Sequence, residues 1–370
     1  MAQSLKTYCP LAFREIYLDS SGHYRLCCHS SSHNDIREFH NNTTTPFEFF
    51  RSDKMEKIRN DMLQGNPIKG CEVCYQMESA GNQSYREMRY IKKYNYPTDI
   101  DQVNLKIRMF GSYCNLSCYM CIPYNSSTRR KELYEIYGDA YKQIPGFSPD
   151  YNVLKANDWQ RCLKDLIDNI HLIKHIHFTG GEPLQLPRHW ELVDAIPSDV
   201  AKNIHLTYDT NLTELSWKGH SIFDVQEKFG KVELEVSCDH YGEKFAWIRY
   251  PIDVDKFEQN LQQAKTIIKK LSVTVSILNI QDLYQIKNYY TKFGVRVDLT
   301  NVVRWPRILS IKNLDQVSKN KYLKMYNNIS IIKHELDQPA VEQEYQQGLD
   351  YCQRLSDHRG FDYKKLWTNL

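Results

Sequence analysis

The stretch from residue 104 to residue 121 reads NLKIRMFGSYCNLSCYMC and decides the fold class. It joins a short apolar strand, Asn104–Met109, to a loop with three cysteines. Similar apolar or β-branched segments recur downstream, and helical stretches separate several of them. This alternation predicts a parallel sheet with right-handed crossovers. The further strands are expected at His175–Thr179, Ile204–Tyr208, Val232–Ser237, Val273–Leu278 and Val295–Thr300, and the clearest helices at Trp159–His171, Lys256–Lys270 and Asp282–Phe293.

Six such strands predict an α/β fold with a partial (β/α)6 TIM-type barrel rather than a complete eight-stranded one. Ligands of such barrels bind at the carboxyl ends of the strands. We expect the barrel to cover residues 99–309. A helical C-terminal extension, rich in Lys, Asn and Gln, is expected to follow over residues 310–370.

Residues 1–98 are expected to form a small cysteine-rich module before the barrel. Phe13–Leu18 and Tyr24–Cys28 are predicted strands on either side of a Ser-Ser-Gly turn. Pro46–Leu63 is a predicted helix, because Thr45 suits its cap and Gly65 suits its exit. Another helix is expected from about residue 72 to residue 93, and Pro97 and Thr98 then mark a linker.

The charge balance argues against a nucleic-acid or anionic-membrane partner, since 48 basic side chains face 45 acidic ones, for a formal charge of +3. No apolar run approaches the roughly 20 residues that span a bilayer. The first 13 residues also lack the apolar stretch of a signal peptide. We therefore expect a cytoplasmic protein, in which the 11 cysteines favour metal ligation over disulfides.

Three of the cysteines, Cys114, Cys118 and Cys121, fall within eight residues directly after the first predicted barrel strand. Three thiolates on one short loop can hold three irons of a cubane cluster and leave the fourth iron open to a ligand. A zinc site is the alternative, because zinc takes four ligands and a nearby histidine could complete the set. The candidates for that fourth ligand are His171, His175 and His177.

A second motif ends the second predicted barrel strand, where residues 175–183 read HIHFTGGEP. Two glycines after a strand let a ligand approach the backbone closely. Glu182 adds either a carboxylate for a bound polar molecule or a structural anchor. Taken alone, the same residues could form only a tight turn.

A Cys-x3-Cys-x2-Cys loop after strand one and Gly-Gly-Glu-Pro after strand two resemble the radical S-adenosylmethionine (radical SAM) superfamily. The resemblance implies that Cys114, Cys118 and Cys121 bind a [4Fe–4S] cluster. It also implies that the methionine amino and carboxylate groups of S-adenosylmethionine chelate the open iron. The 180–183 loop, Gly180, Gly181, Glu182 and Pro183, would contact this cosubstrate. Met120 stands where many members have an aromatic residue against the adenine.

Later segments extend the resemblance. Asn211 ends the third strand, where relatives often continue with a glycine that is Leu212 here. Ser237 and Asp239 end the fourth strand, and Arg249 follows ten residues later. The resemblance implies that Asn211, Ser237, Asp239 and Arg249 help to bind the cosubstrate. The alternatives are a turn role for Asn211 and a surface salt bridge for Arg249.

The N-terminal cysteines resemble the opening of SPASM and twitch auxiliary-cluster modules. Cys9 is followed after 12 residues by Gly22, and Cys27 follows four residues later, before a Cys71-x2-Cys74 pair. The absence of cysteines from residue 75 to residue 113 favours the shorter, one-cluster twitch type, here placed before the barrel. The expected ligands of this second [4Fe–4S] cluster are Cys9, Cys27, Cys71 and Cys74. Cys28 is a rival for the second position, and zinc is the alternative metal.

The resemblance implies an oxidoreductase or transferase type of enzyme. An external electron donor, such as flavodoxin or ferredoxin, would reduce the barrel cluster. Reductive cleavage of S-adenosylmethionine would then give a 5′-deoxyadenosyl radical that removes hydrogen from a peptide or small-molecule substrate. Dehydrogenation, cross-linking or epimerisation could follow, and the sequence assigns no catalytic acid or base. Cys162 and Cys238 are expected to be core thiols, and Cys352 to be more open. The competing interpretation is a non-enzymatic zinc-binding interaction protein.

Overall fold

The computed structural model describes residues 6–19, 22–30, 36, 38–79, 81, 83–87, 98–108, 110–123, 125–143 and 156–368. Its main feature is an eight-stranded sheet with the order β10-β9-β8-β5-β4-β3-β1-β2, and β6 pairs with β7 separately. The strands are β1 Glu15–Leu18, β2 Tyr24–Arg25, β3 Val103–Ile107, β4 Ile173–Phe178, β5 His205–Thr210, β6 Ser216–Trp217, β7 His220–Ser221, β8 Lys231–Ser237, β9 Ile268–Val275 and β10 Val297–Val302.

The sheet is almost entirely parallel. Each neighbouring pair from β1 and β3 through to β10 runs parallel, and only β2 runs antiparallel, beside β1. Burial alternates along the strands, as in β3, where Val103, Leu105 and Ile107 are fully buried. Polar residues between the buried ones, such as Lys106 in β3 and Glu235 in β8, line a cavity on the other face. The predicted α/β class and its parallel sheet are confirmed.

Helices connect and flank the strands in the described part of the chain. They are α1 Leu11–Arg14, α2 Pro46–Phe50, α3 Asp53–Gln64, α4 Glu72–Ser79, α5 Ser127–Tyr137, α6 Ala156–Asp168, α7 Pro187–Ala195, α8 Ser198–Ala201, α9 Ile222–Lys228, α10 Gly242–Ile248, α11 Val254–Ala264, α12 Leu283–Thr291, α13 Gln316–Met325, α14 Ser330–Leu336, α15 Glu342–Arg359 and α16 Tyr363–Leu366. Within the described ranges, no helix has the length and apolar character needed to cross a membrane.

The N-terminal segment joins the barrel sheet instead of standing beside it. Strand β1 pairs in parallel with β3, with Glu15 opposite Asn104 and Leu18 opposite Ile107. Both predicted strands are shorter than expected, because residues 11–14 form helix α1 and Cys27 and Cys28 lie beyond β2. The boundary proposed near residue 98 therefore separates two stretches of sequence that share one sheet.

The single predicted helix over Pro46–Leu63 is wrong. The helix is interrupted at Arg51 and Ser52, between α2 and α3. The Ser52 hydroxyl caps the start of α3, where it accepts a hydrogen bond from Met55 N, 3.4 Å away. The predicted caps are present: Thr45 forms a capping box with Glu48, and Gly65 is left-handed with φ +83°. Of the predicted helix from residue 72 to residue 93, Glu72–Ser79 is helical, and its last six residues lie outside the described part of the chain.

The predicted boundaries around β9 are also wrong. The expected helix over Lys256–Lys270 ends at Ala264, and the strand begins at Ile268 rather than Val273. Lys269 and Lys270 suggest a helix by composition, but both are strand residues that pair with Glu235 of β8, at 3.0 Å and 3.1 Å. Cross-strand ion pairs therefore stabilise charged residues in a strand, which local propensity does not anticipate.

Candidate functional site

Residues of β3, β4, β5, β8, β9 and β10, with the loops that follow β3, β4 and β5, line a cavity of about 470 Å³. Its size is within the range of small-molecule sites. Most of the site residues expected from the sequence line it: Cys114, Cys118, Met120, Cys121, Gly180, Gly181, Asn211, Ser237 and Arg249. Glu182, Pro183 and Asp239 do not line it but lie buried behind it. The fold therefore gathers residues from four separate chain segments at one place.

The three cysteines of the 114–121 loop enter this cavity with polar neighbours at two of the sulfurs. Asn211 Nδ2 lies 3.7 Å from Cys114 Sγ, and Arg249 Nη1 lies 3.5 Å from Cys118 Sγ. Burial, followed by the neighbouring thiol of Cys118, raises the pKa of Cys121 to about 12. Burial also raises the pKa of Cys114 and Cys118. Three thiolates can coexist here only beside a positively charged group, and iron or another metal provides one.

Glycine is required where the second loop meets the first. Gly181 has φ +63°, and a Cβ atom at this position would lie 2.4 Å from the carbonyl oxygen of Tyr113. The Gly181 amide donates to Asn125 O at 3.2 Å, and the Glu182 amide donates to Tyr113 O at 2.8 Å. Backbone hydrogen bonds therefore connect the 180–183 loop, called the glycine loop below, directly to the 114–121 loop, called the cysteine loop.

The Glu182 carboxylate acts as an anchor inside the protein. It accepts hydrogen bonds from Thr210 Oγ1 at 2.8 Å, Asn211 N at 2.7 Å and Leu184 N at 3.3 Å. Burial raises the pKa of Glu182 to about 7, although these hydrogen bonds act in the opposite direction. Of the two roles that the sequence left open for this side chain, the geometry matches the structural anchor, since the carboxylate ties the 180–183 loop to the end of β5.

Arg249 is buried, so its predicted alternative as a surface salt bridge is wrong. It pairs with the fully buried Asp239, whose Oδ2 lies 2.7 Å from Arg249 Nη2. Asp239 Oδ1 accepts a further hydrogen bond from Thr274 N at 2.7 Å. Asp239 therefore orients the guanidinium toward Cys118. Arg249 Nε is buried without a hydrogen-bond partner among the described residues, so it leaves a donor for a ligand at this edge of the cavity.

The C-terminal extension anchors the cysteine loop from behind, a role that the sequence reasoning missed. Arg359, at the end of α15, donates from Nη1 to Trp247 O at 2.8 Å and from Nη2 to Ser117 O. Its Nε also donates to Glu132 Oε1 at 2.6 Å, and the same carboxylate pairs with Arg129. No local sequence motif predicts this contact, because Arg359 and Ser117 are 242 positions apart in the chain.

A second, smaller cavity lies in the N-terminal segment. Cys9, Cys27, Cys71 and Cys74 all line it, whereas Cys28 does not and is exposed. Burial raises the pKa of both Cys9 and Cys71 to about 12, with Cys74 as a further contributor. The structure therefore brings together the four thiols that the sequence selected, and it separates them from the rival Cys28.

Arg86 forms part of the wall of this N-terminal cavity. It donates to the carbonyl oxygen of Tyr8, beside Cys9, and its Nε lies 2.6 Å from Glu78 Oε1. These bonds connect Arg86 to helix α4, which carries Cys74, and to the backbone next to Cys9. Arg86 thereby holds two of the cysteine segments together.

Neither cysteine set is arranged around a single metal ion. Across the described ranges, no three His, Cys, Asp or Glu residues converge as the ligands of one ion would. His175 is bonded to Thr207 and His177 pairs with Asp209, at 2.9 Å and 3.0 Å. His177 lines the same cavity as the three thiols, but its ring is paired with Asp209, and no single-ion ligand set forms there among the described residues.

The remaining cysteines lie in the core. Cys162 is buried in α6 and Cys238 follows β8, and neither lines the cavity, as predicted. The expectation that Cys352 is more open is wrong, because its side chain is fully buried in α15. The preceding residue of α15, Tyr351, contacts the 114–121 loop, because its Oη donates to Tyr119 O at 2.8 Å.

The central part of the chain matches a known family. Residues 109–286, just under half of the chain, match the family described as the Radical SAM superfamily. No curated protein matches the chain. The glycine loop, the cysteine loop and strand β4 fall within the matched residues, whereas β3, Val103–Ile107, lies just before them.

The solved structures that match the chain are distant in sequence and have low TM-scores. Native anSMEcpe with bound AdoMet is 16% identical, with a TM-score of 0.40 and coverage of 61% of this chain and 60% of its own. Streptococcus suis SuiB bound to S-adenosylmethionine is 17% identical, with a TM-score of 0.41 and coverage of 77% and 65%. The chain thus spans about three fifths of the length of these proteins.

The contact between the C-terminal extension and the cysteine loop gives a first prediction. Replacing Arg359 by leucine removes a donor from the buried Ser117 carbonyl and one of the two arginine partners of the Glu132 carboxylate, which costs about 3 kcal/mol. We expect Arg359→Leu to lose most of the iron bound by the 114–121 loop after anaerobic reconstitution, measured by iron analysis per chain. Arg359→Lys should recover part of it.

Arg354→Leu is the matched control, because Arg354 lies on the same helix but is exposed. It should retain the full iron content. Equal iron contents in Arg359→Leu and Arg354→Leu would contradict the proposed anchoring role.

Proposed function

We propose that this protein is a radical SAM enzyme whose barrel binds a [4Fe–4S] cluster on Cys114, Cys118 and Cys121, with S-adenosylmethionine at the open iron. The observation that carries the proposal is the direct backbone connection between the cysteine loop and the glycine loop within the residues that match the Radical SAM superfamily. It puts two buried thiols, the half-buried thiol of Cys121 and a half-buried glycine backbone on the wall of one cavity. When bound, the reduced cluster supplies the electron that cleaves S-adenosylmethionine reductively.

The residues of the cavity fit these two groups chemically. The three thiols need positive charge to ionise together, which a cluster provides. A cluster also spreads its thiolates over several irons, so they need not converge on one point as zinc ligands do. For the cosubstrate, Gly180 and Gly181 allow close approach to the backbone, and Arg249 Nε offers a free buried donor. Asn211, Ser237 and Met120 complete the lining.

The protein's own contribution is to position groups and to exclude water. Asp239 holds the Arg249 guanidinium toward Cys118. The positive charge of Arg249 favours the thiolate form of that cysteine. Glu182 and Pro183 act from behind the cavity wall, where they fix the shape of the glycine loop. The cosubstrate contacts that we propose for this loop are therefore made by its backbone.

We further propose that the N-terminal segment is a twitch-like module with a second [4Fe–4S] cluster on Cys9, Cys27, Cys71 and Cys74. These four thiols share one cavity and do not form a single-ion site. The module would comprise residues 1–98, followed by the barrel over 99–309 and the helical extension over 310–370. A flavodoxin or ferredoxin is our proposed electron donor, and the reaction is hydrogen abstraction from a peptide or small molecule in the cytoplasm.

The proposal predicts 5′-deoxyadenosine formation. Anaerobically reconstituted protein, mixed with dithionite and S-adenosylmethionine, should release 5′-deoxyadenosine measurable by chromatography. Cys114→Ala should lower this rate at least about a hundredfold, because the cluster loses one of only three ligands. Cys352→Ala, which removes a buried thiol outside the site, is the matched control and should retain most of the rate. No product from fully loaded wild-type protein would contradict the proposal.

Iron counting tests the second cluster against the zinc alternative. We expect about eight irons per reconstituted chain and about four in Cys71→Ala, because each [4Fe–4S] site holds four. Cys28→Ala should keep about eight, since Cys28 lies outside the cavity. Zinc bound to the N-terminal cysteines, with about four irons in the wild type, would support the zinc-protein interpretation of this module.

A further inference from the structure

Strand β3 carries two basic side chains into the barrel cavity. Lys106 and Arg108 are two residues apart, so they project from the same face of the strand. Both line the cavity and both are half-buried. The same cavity is also lined by Glu235 of β8, Lys270 of β9 and Asp298 of β10.

These two cations differ from the other charged groups of the cavity, which have partners. Lys270 pairs with Glu235 and with Asp298, at 3.1 Å and 2.8 Å. His177 pairs with Asp209 at 3.0 Å. By contrast, neither Lys106 Nζ nor the Arg108 guanidinium makes a hydrogen bond or ion pair with any residue that the structure describes. Arg108 Nε is one of the buried nitrogen atoms without a partner.

The position of Arg108 places its charge beside the glycine loop. A Cβ atom on Gly180 would lie 3.2 Å from Arg108 Cγ, so the aliphatic stem of Arg108 packs against this glycine. Tyr17 of β1, Cys28 and the carboxylate of Asp209, which is paired with His177, are electrostatic neighbours of both Arg108 and Lys106. The two cations therefore lie between the proposed cosubstrate site and the N-terminal module.

We propose that Lys106 and Arg108 bind an anionic group, a carboxylate or phosphate, of the substrate. This inference rests on the proposed function, because it assigns the substrate class of the same cavity. Keeping cations half-buried without a partner costs free energy that a bound anion offsets. The planar guanidinium suits two oxygen atoms of one carboxylate or phosphate, and lysine adds a second charge to the same group.

The carboxylate of S-adenosylmethionine is the other possible source of this anion. The two sources differ in what happens when the cosubstrate is bound. A substrate subsite stays open to an added anion, whereas a site filled by the cosubstrate's own carboxylate does not. Binding measurements with and without saturating S-adenosylmethionine therefore distinguish them.

The experiment uses the reconstituted full chain and titrates inorganic phosphate and succinate by isothermal calorimetry, with S-adenosylmethionine absent or saturating. We expect at least one of the two probes to bind the wild type in both conditions. Arg108→Gln and Lys106→Gln should each weaken that binding at least tenfold, and Arg108→Lys should recover part of it. Lys265→Gln, at an exposed lysine directly after α11 and outside the cavity lining, is the charge-matched control and should bind as the wild type does.

Two results would overturn the inference. The first is unchanged anion binding in both glutamine variants, or no binding of either probe to the wild type. The second is loss of probe binding when S-adenosylmethionine is bound, together with a tenfold weaker S-adenosylmethionine affinity in Arg108→Gln, which would assign the cations to the cosubstrate. Assaying 5′-deoxyadenosine on the same preparations separates the two proposals: its formation without probe binding rejects only the anion subsite, and its absence rejects the enzymatic function.

Discussion

The close approach of Gly181 to the Tyr113 carbonyl is the constraint on which the site depends. The space there excludes even one methyl group, and the Glu182 amide bonds to the same carbonyl. Two loops from neighbouring strands are thereby held at backbone contact. Glu182 extends the connection to the end of β5 through Thr210 and Asn211. The thiols, the glycine backbone and the Asn211 amide consequently take fixed positions around one cavity.

Charge inside the protein is organised around the same loops. Asp239 neutralises Arg249, which faces Cys118, and Glu132 lies between Arg129 and Arg359 behind the loop. Buried ion pairs of this kind contribute little net stability against apolar replacements, but losing one partner is costly. These ion pairs matter here because they position guanidinium donors. Arg249 is held beside the sulfur of Cys118, and Arg359 is held beside the backbone carbonyl of Ser117. The C-terminal extension is therefore structurally part of the site.

Sequence reasoning predicted the parts of this structure that short-range patterns encode. The spacing of Cys114, Cys118 and Cys121 and the position of Gly180 and Gly181 after β4 were sufficient to predict one shared cavity. The class of sheet followed from the alternation of strands and helices. Local patterns failed at β9, where Lys269 and Lys270 suggested a helix although cross-strand ion pairs stabilise them in a strand.

Contacts between distant parts of the chain could not be predicted in this way. Neither the pairing of β1 with β3 nor the contact of Arg359 with Ser117 leaves a local signature, because each depends on how the complete chain folds. The burial of Cys352 was missed for the same reason. Similarly, the lack of partners for Lys106 and Arg108 becomes visible only when the surrounding charges are placed.

Electron paramagnetic resonance of the dithionite-reduced protein can show whether S-adenosylmethionine binds at the cluster that we propose on the 114–121 loop. We expect a reduced [4Fe–4S] signal whose g-values shift when S-adenosylmethionine is added, both in the wild type and in a Cys71→Ala variant that lacks the N-terminal cluster. A cluster signal that S-adenosylmethionine leaves unchanged, or the absence of any iron–sulfur signal in that variant, would contradict the proposal.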